Sequence, residues 1–146
     1  VRQEAVIRAV FDTVVVLRAG INPGSVYGRL LAQHARHYQL IVSAPLLAEY
    51  LDVLNRPELT RRFARLADLD ATAIPQVLAA TELVELSIVP AVARDPNDDM
   101  VLATAIAGRV DYLVSEDQDL LELRVYEGIQ IVSAASFLTI LERCQD

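Results

Sequence analysis

Apolar residues fall in short runs along this chain, separated by polar and turn-forming breaks. Residues 5–11 form the first run and read as a buried strand that ends at Asp12-Thr13. Val14, Val15, Val16 and Leu17 continue apolar, and Gly20-Ile21-Asn22-Pro23-Gly24 reads as a loop. The spacing of Val26, Leu30 and Leu31 predicts a helix over 25–35, and residues 39–42 a short strand. Ser43-Ala44-Pro45 opens a helix running to about Asn55, with Ser43 or Ala44 near the N-cap and Pro45 in the first turn. Residues 58–83 carry helical spacing at Leu66, Leu69 and Ile74, enough for two helices, and residues 84–88 resemble an edge strand. A helix over 95–107, closed by Gly108, comes next. After it the pattern predicts a strand over 112–115, a short helix over 120–123, a strand over 129–132 and a final helix over 133–143.

Short apolar strands alternating with helices imply a parallel sheet covered on both faces, an α/β architecture with right-handed crossovers. Ligands of such sheets sit at the carboxyl ends of the strands. The 146 residues suit one domain spanning 1–146. With 53% hydrophobic and 23% charged residues the composition is globular, and its apolar excess could serve self-association. One cysteine, Cys144, allows no internal disulfide and fits a reducing cytoplasm. With His34 and His37 so placed it cannot complete a zinc site. The start lacks a signal-peptide pattern, and no apolar run approaches the ~18 residues of a membrane span. A net charge of −7 argues against a broad nucleic-acid-coating surface, but not against an enzyme that holds RNA phosphates through bound metal.

The candidate chemistry is acidic. Asp12, Glu49, the run Asp95-Pro96-Asn97-Asp98-Asp99 and the pair Asp117/Asp119 each stand where an element begins or ends. Carboxylates in apolar settings are costly unless paired. Several converging without matching cations imply a divalent ion bound through oxygen. Helix capping offers a plainer reading for some of them. Asp95 can be an N-cap with Pro96 at the first helical position and Asp98 at N3. It does not cover Asp99, which shares a stripe with Leu102, Ala103 and Ile106. A calcium-loop reading fails, because Met100 and Ile106 stand where Gly and Glu are needed. Asp119 could cap the short helix that follows it, whereas Asp117 has no such duty. Ser115 could hydrogen-bond a ligand water. Asp-x-Asp phosphatases and receiver domains fit poorly, since position 14 is Val and no Lys follows Asp117.

Three stretches together resemble the PIN-domain ribonucleases, specifically the toxin subunits of bacterial toxin–antitoxin pairs. They are Phe11-Asp12-Thr13, the helix from Ser43 through Glu49 to Pro57, and residues 95–105 with 111–121. The resemblance covers nearly the whole chain. It implies a three-layer sandwich around a five-stranded parallel sheet of order 3-2-1-4-5. It implies Mg²⁺ or Mn²⁺ held by Asp12, Glu49, Asp99 and Asp117, with Asp119 accessory. The implied activity is endoribonucleolytic: Asp12, Asp99 and Asp117 hold metal, while Glu49 orients or deprotonates water or binds a second ion. The implied partners are RNA, a cognate antitoxin and a second copy of the chain. Two positions depart from the family pattern. Val14 replaces a polar residue that helps orient the first Asp, and Glu116 replaces a common Gly. A weakened PIN-fold binding module, acting through an antitoxin, is the competing expectation.

Overall fold

The structure, a computed structural model, describes residues 6–22, 24–33, 35–56, 79–86 and 96–144. The two helices expected within 58–83 and the cap expected at Asp95 lie largely or wholly outside those residues. Strand β1 (Arg8–Phe11) leads into helix α1 (Thr13–Ile21). Helix α2 (Val26–Gln33) and a 3₁₀ turn (Ala35–His37) precede β2 (Gln39–Ser43) and α3 (Ala44–Leu54). Then come β3 (Glu82–Val84), α4 (Pro96–Ala107), β4 (Tyr112–Val114) and α5 (Gln118–Leu123). A hairpin of β5 (Val125–Tyr126) and β6 (Ile129–Val132) leads to α6 (Ala134–Cys144).

The strands form one sheet in the order 3-2-1-4-6-5. Every pairing is parallel except the antiparallel one between β5 and β6. The expected five-strand parallel order is therefore present, with one short antiparallel strand added at its edge. The added strand turns through Glu127 and Gly128, both at positive φ (50° and 83°). A two-residue turn of that hand matches strand twist, but it is usually signalled by Asn-Gly or Asp-Gly. Glu-Gly after only two strand residues gave no such signal.

Two other boundaries differ from expectation. Gly20 and Ile21 belong to α1, not to a loop, because Asp12 caps a helix that begins immediately after β1. Strand β3 pairs Ile41 with Glu82 and Ser43 with Val84, so it begins before Val84 and ends there. It is fastened by Arg8, whose guanidinium meets Glu82 at 2.6 Å and whose Nε donates to the Gly108 carbonyl at 2.9 Å.

Both faces of the sheet are closed. Phe137 of α6 packs edge-on against Phe11 and Tyr38, with ring centroids 6.1 and 5.3 Å apart. Ile41, on the other face, lies against the end of α4. That helix ends with Arg109 at φ 50°, its amide donating to the Ile106 carbonyl and the Val110 amide to that of Ala105. This is a Schellman closure whose left-handed residue is Arg109 and not Gly108. Gly108 is small for another reason: a Cβ there would sit 2.5 Å from Ile41 Cγ2. Ile41 is fully buried and β-branched, so it cannot swing aside. Gly108→Ala is expected to cost about 1–3 kcal/mol, read as a lower urea midpoint at unchanged slope.

A buried polar bridge sets α3 against α4. Ser43 Oγ lies 2.8 Å from Thr104 Oγ1, which itself donates to the Met100 carbonyl. The Thr104 proton is thus committed, so Ser43 donates to Thr104. Ser43 Oγ also accepts the Leu46 amide as the N-cap of α3. The phenol of the wholly buried Tyr50 donates to the Phe11 carbonyl. Burial pushes its pKa far up, with the nearby carboxylates of Asp12 and Glu49 adding to the effect, so it remains a donor. The first tie fixes the helix that carries Glu49 to α4, and the second fixes it to the strand that delivers Asp12.

Candidate metal and nucleic-acid site

A cleft of about 480 Å³ opens at the carboxyl edge of the sheet. Among the described residues five acids line it: Asp12, Glu49, Asp98, Glu116 and Asp117. Val14, Leu17, Val53 and Val101 give it apolar walls, and Arg18 and Arg56 are its cations among the described residues.

Pairing of β1 with β4 brings Asp12 beside Ser115: Phe11 stands opposite Val114, and the Asp12 amide donates to the Val114 carbonyl at 3.0 Å. One Asp12 oxygen accepts the Val15 amide at 3.1 Å, making Asp12 the N-cap of α1. The other accepts the hydroxyl of the fully buried Ser115. Ser115 Oγ in turn accepts the Asp117 amide at 3.0 Å. One hydroxyl therefore locks two of the acidic stations together. Asp12 thus has a hydrogen-bond donor in Ser115, where one was expected from position 14. Val14 points outward, 42% exposed, at the cleft mouth. Ser115 thus commits its proton to Asp12 and one lone pair to the Asp117 amide.

Asp12 is 5% exposed. Burial, the largest influence, raises its pKa above the ordinary carboxylate value. Hydrogen bonds from Ser115, Val15 and Glu116 pull the other way, and the charge of Asp117 adds to the rise. The folded protein therefore binds this proton more tightly than the unfolded chain. The resulting stability is fully present below the ordinary carboxylate pKa, about 3.9, and is lost as pH rises through the raised value. In metal-free buffer, Asp12→Asn should gain stability relative to the parent as pH climbs from about 4 towards neutrality. Paired urea titrations at several pH values measure this; a difference independent of pH would contradict it.

On α4 and α5 the acids that line the cleft differ from those expected. Asp98 lines the cleft and Asp99 does not, although both are 8% exposed. The stripe that singled out Asp99 was a poor compass, because Val101 through Ala105 are all buried and α4 has no solvent face there. Asp98 shares its face with Val101, three residues on and also in the cleft wall. On α5 the N-cap is Asp117, whose Oδ1 accepts the Asp119 amide at 2.8 Å; Asp119 is in the first turn, off the cleft. Glu116 is anchored rather than merely adding charge: its Oε1 accepts the Ala134 amide at 2.8 Å, at the start of α6.

Among the described residues, no three of His, Cys, Asp or Glu are close enough to grip an ion unaided. Mg²⁺ needs no such cage, since it takes one or two carboxylates and keeps several waters. An all-oxygen, acid-rich donor set with one carboxylate held above its ordinary pKa by burial fits such an ion.

A mostly parallel sheet between helices, with acids gathered at its carboxyl edge, defines a three-layer α/β protein with an acidic cleft. The chain belongs to the PIN domain family, whose pattern its residues 8–119 match. Among solved structures it resembles PAE2754 of Pyrobaculum aerophilum, with a TM-score of 0.56 at 14% identity over 94% of this chain and 91% of that one. It resembles equally VapBC2 of Rickettsia felis bound to a DNA fragment from its promoter, also at 0.56 and 14%, over 87% and 98%. At such identity the likeness is one of fold. Among curated proteins no sequence matches. No helix of the described residues is long and apolar enough to cross a membrane.

Proposed function

We propose that this chain is a Mg²⁺- or Mn²⁺-dependent endoribonuclease, the toxin of a toxin–antitoxin pair acting in the cytoplasm. The observation that carries the reading is the convergence of Asp12, Glu49, Asp98 and Asp117, from four elements, on one cleft. Family membership and the fold shared with VapBC2 support it.

Asp12, Asp98 and Asp117 would hold the metal directly or through its waters; when bound it supplies Lewis-acid activation of water and charge neutralisation at the phosphate. Glu49, half-buried on α3 and lining the cleft, would orient the attacking water and take its proton. Ser115 keeps Asp12 in one orientation, and the apolar walls limit bulk water around the reacting phosphate. The bond between Ser115 and Asp12 favours a working enzyme over a weakened binding module, because the first Asp is oriented without help from position 14. An antitoxin and a second copy of the chain are the proposed protein partners.

Calorimetric titration with Mg²⁺ and Mn²⁺, beside cleavage of single-stranded RNA with and without chelator, tests the reading. We expect binding of either ion and cleavage that stops on chelation. Cleavage that survives EDTA would refute it.

A further inference from the structure

The cleft presents an electrostatic problem. A chain of net charge −7 offers five carboxylates among its described cleft residues to a polyanion, and bound metal offsets only part of that charge. A cation within the cleft that is not consumed by the acids would resolve it, and Arg18 has that character. It lines the cleft and is exposed, yet among the described residues it forms no ion pair with any carboxylate. The other cation among the described cleft residues, Arg56, meets Asp52 at 3.3 Å.

Arg18 is held by a neutral group instead. Its Nη1 donates to the Tyr27 hydroxyl at 2.8 Å, and its guanidinium carbon stands 5.4 Å from the centre of the same ring. This grip from α2 uses one of a guanidinium's five N–H donors and leaves its charge unneutralised. Arg18 lies six residues beyond Asp12, the cap of the same helix, which is about 9 Å along the axis. It therefore stands to one side of the acids, within reach of a neighbouring group on the same strand. All thirteen basic residues of the chain are Arg. A planar guanidinium can clasp a phosphate with two parallel bonds.

We propose that Arg18, steadied by Tyr27, binds an RNA phosphate adjacent to the one that is cut, and so sets the register of the strand in the cleft. The assignment rests on the RNA-cleaving reading above. Arg18 takes no part in the bond-breaking itself.

Two measurements on the full chain test it. In steady-state cleavage of a short single-stranded RNA with Mg²⁺, Arg18→Ala should raise KM about tenfold, as loss of a charged hydrogen bond does, with kcat within about threefold. Arg18→Lys should recover part of the loss, since charge remains without the fork. In fluorescence anisotropy with the same labelled RNA and Ca²⁺, the slope of log affinity against log salt should become shallower by about 0.7, one phosphate contact. A role confined to joining α1 to α2 would lower the thermal midpoint of Arg18→Ala while KM and the salt slope stayed at parental values; that result overturns the proposal and leaves the nuclease reading intact. The opposite dissociation, no cleavage by any form but a shallower slope for Arg18→Ala, keeps the phosphate contact and removes the nuclease reading. Absence of RNA binding by every form overturns both.

Discussion

Asp98→Asn should reduce RNA cleavage by about 10²–10³-fold, a loss typical of removing one charge-stabilising group from a preorganised site, whereas Asp99→Asn should stay within about threefold. The two residues are neighbours in the first turn of α4 and equally buried, so composition, dipole and burial cannot separate them. What separates them is direction. Asp98 lines the cleft in company with Val101; Asp99 does not. Asn preserves shape and size, and at a helix start the lost charge costs only about 0.3–1 kcal/mol, so both variants should fold. The decisive comparison is single-turnover cleavage together with calorimetric Mg²⁺ affinity. Equal losses in the two variants, or the greater loss in Asp99→Asn, would show that the cleft has been assigned to the wrong carboxylate.

Ser115→Ala is the second large effect. The substitution removes the donor to Asp12 and the acceptor for the Asp117 amide at once. Outer partners that orient metal ligands are typically worth ~10–100-fold in affinity or activity, and we expect a loss in that range. Stability should fall by about 1–3 kcal/mol, the cost of leaving a buried polar group without its bond. The metal-affinity readout identifies the mechanism: a purely structural serine would lower stability and leave Mg²⁺ affinity unchanged. Val14→Asn is the control, and cleavage should change by less than about threefold, because the orienting bond already exists. If Asn at 14 restored Ser115→Ala, position 14 would reach Asp12 after all.

Much of this arrangement is legible in the sequence. Asp12 follows an apolar strand directly, so a parallel sheet had to bring it to the carboxyl edge, and Asp117 follows from β4 in the same way. Glu49 could be placed from the cap at Ser43 and the period of α3. The order of the parallel strands was correct. Elsewhere, local pattern lost its meaning. Helix α4 is buried around its circumference, so hydrophobic phase could not rank Asp98 against Asp99. Three consecutive valines hid the beginning of α1, because an unbroken apolar run carries no helical period. Ser115 was visible as a serine, but its bond to Asp12 spans 103 positions and depends on the register between β1 and β4.

Asp12 and Asp117 are N-caps as well as cleft acids, holding the first turns of α1 and α5. The proposed active site and the folding of the chain therefore share atoms, and this narrows the routes by which a lineage could lose the activity. Drift to Ala or Val at either position discards a cap worth about 0.5–2 kcal/mol along with the ligand, so a silent, well-folded remnant is hard to reach that way. Asn is the exit that keeps the helix. Inactive descendants should carry Asn, Ser or Thr at these two positions more often than apolar residues, and an inert form for raising binders or trapping partners is best made by the same exchange.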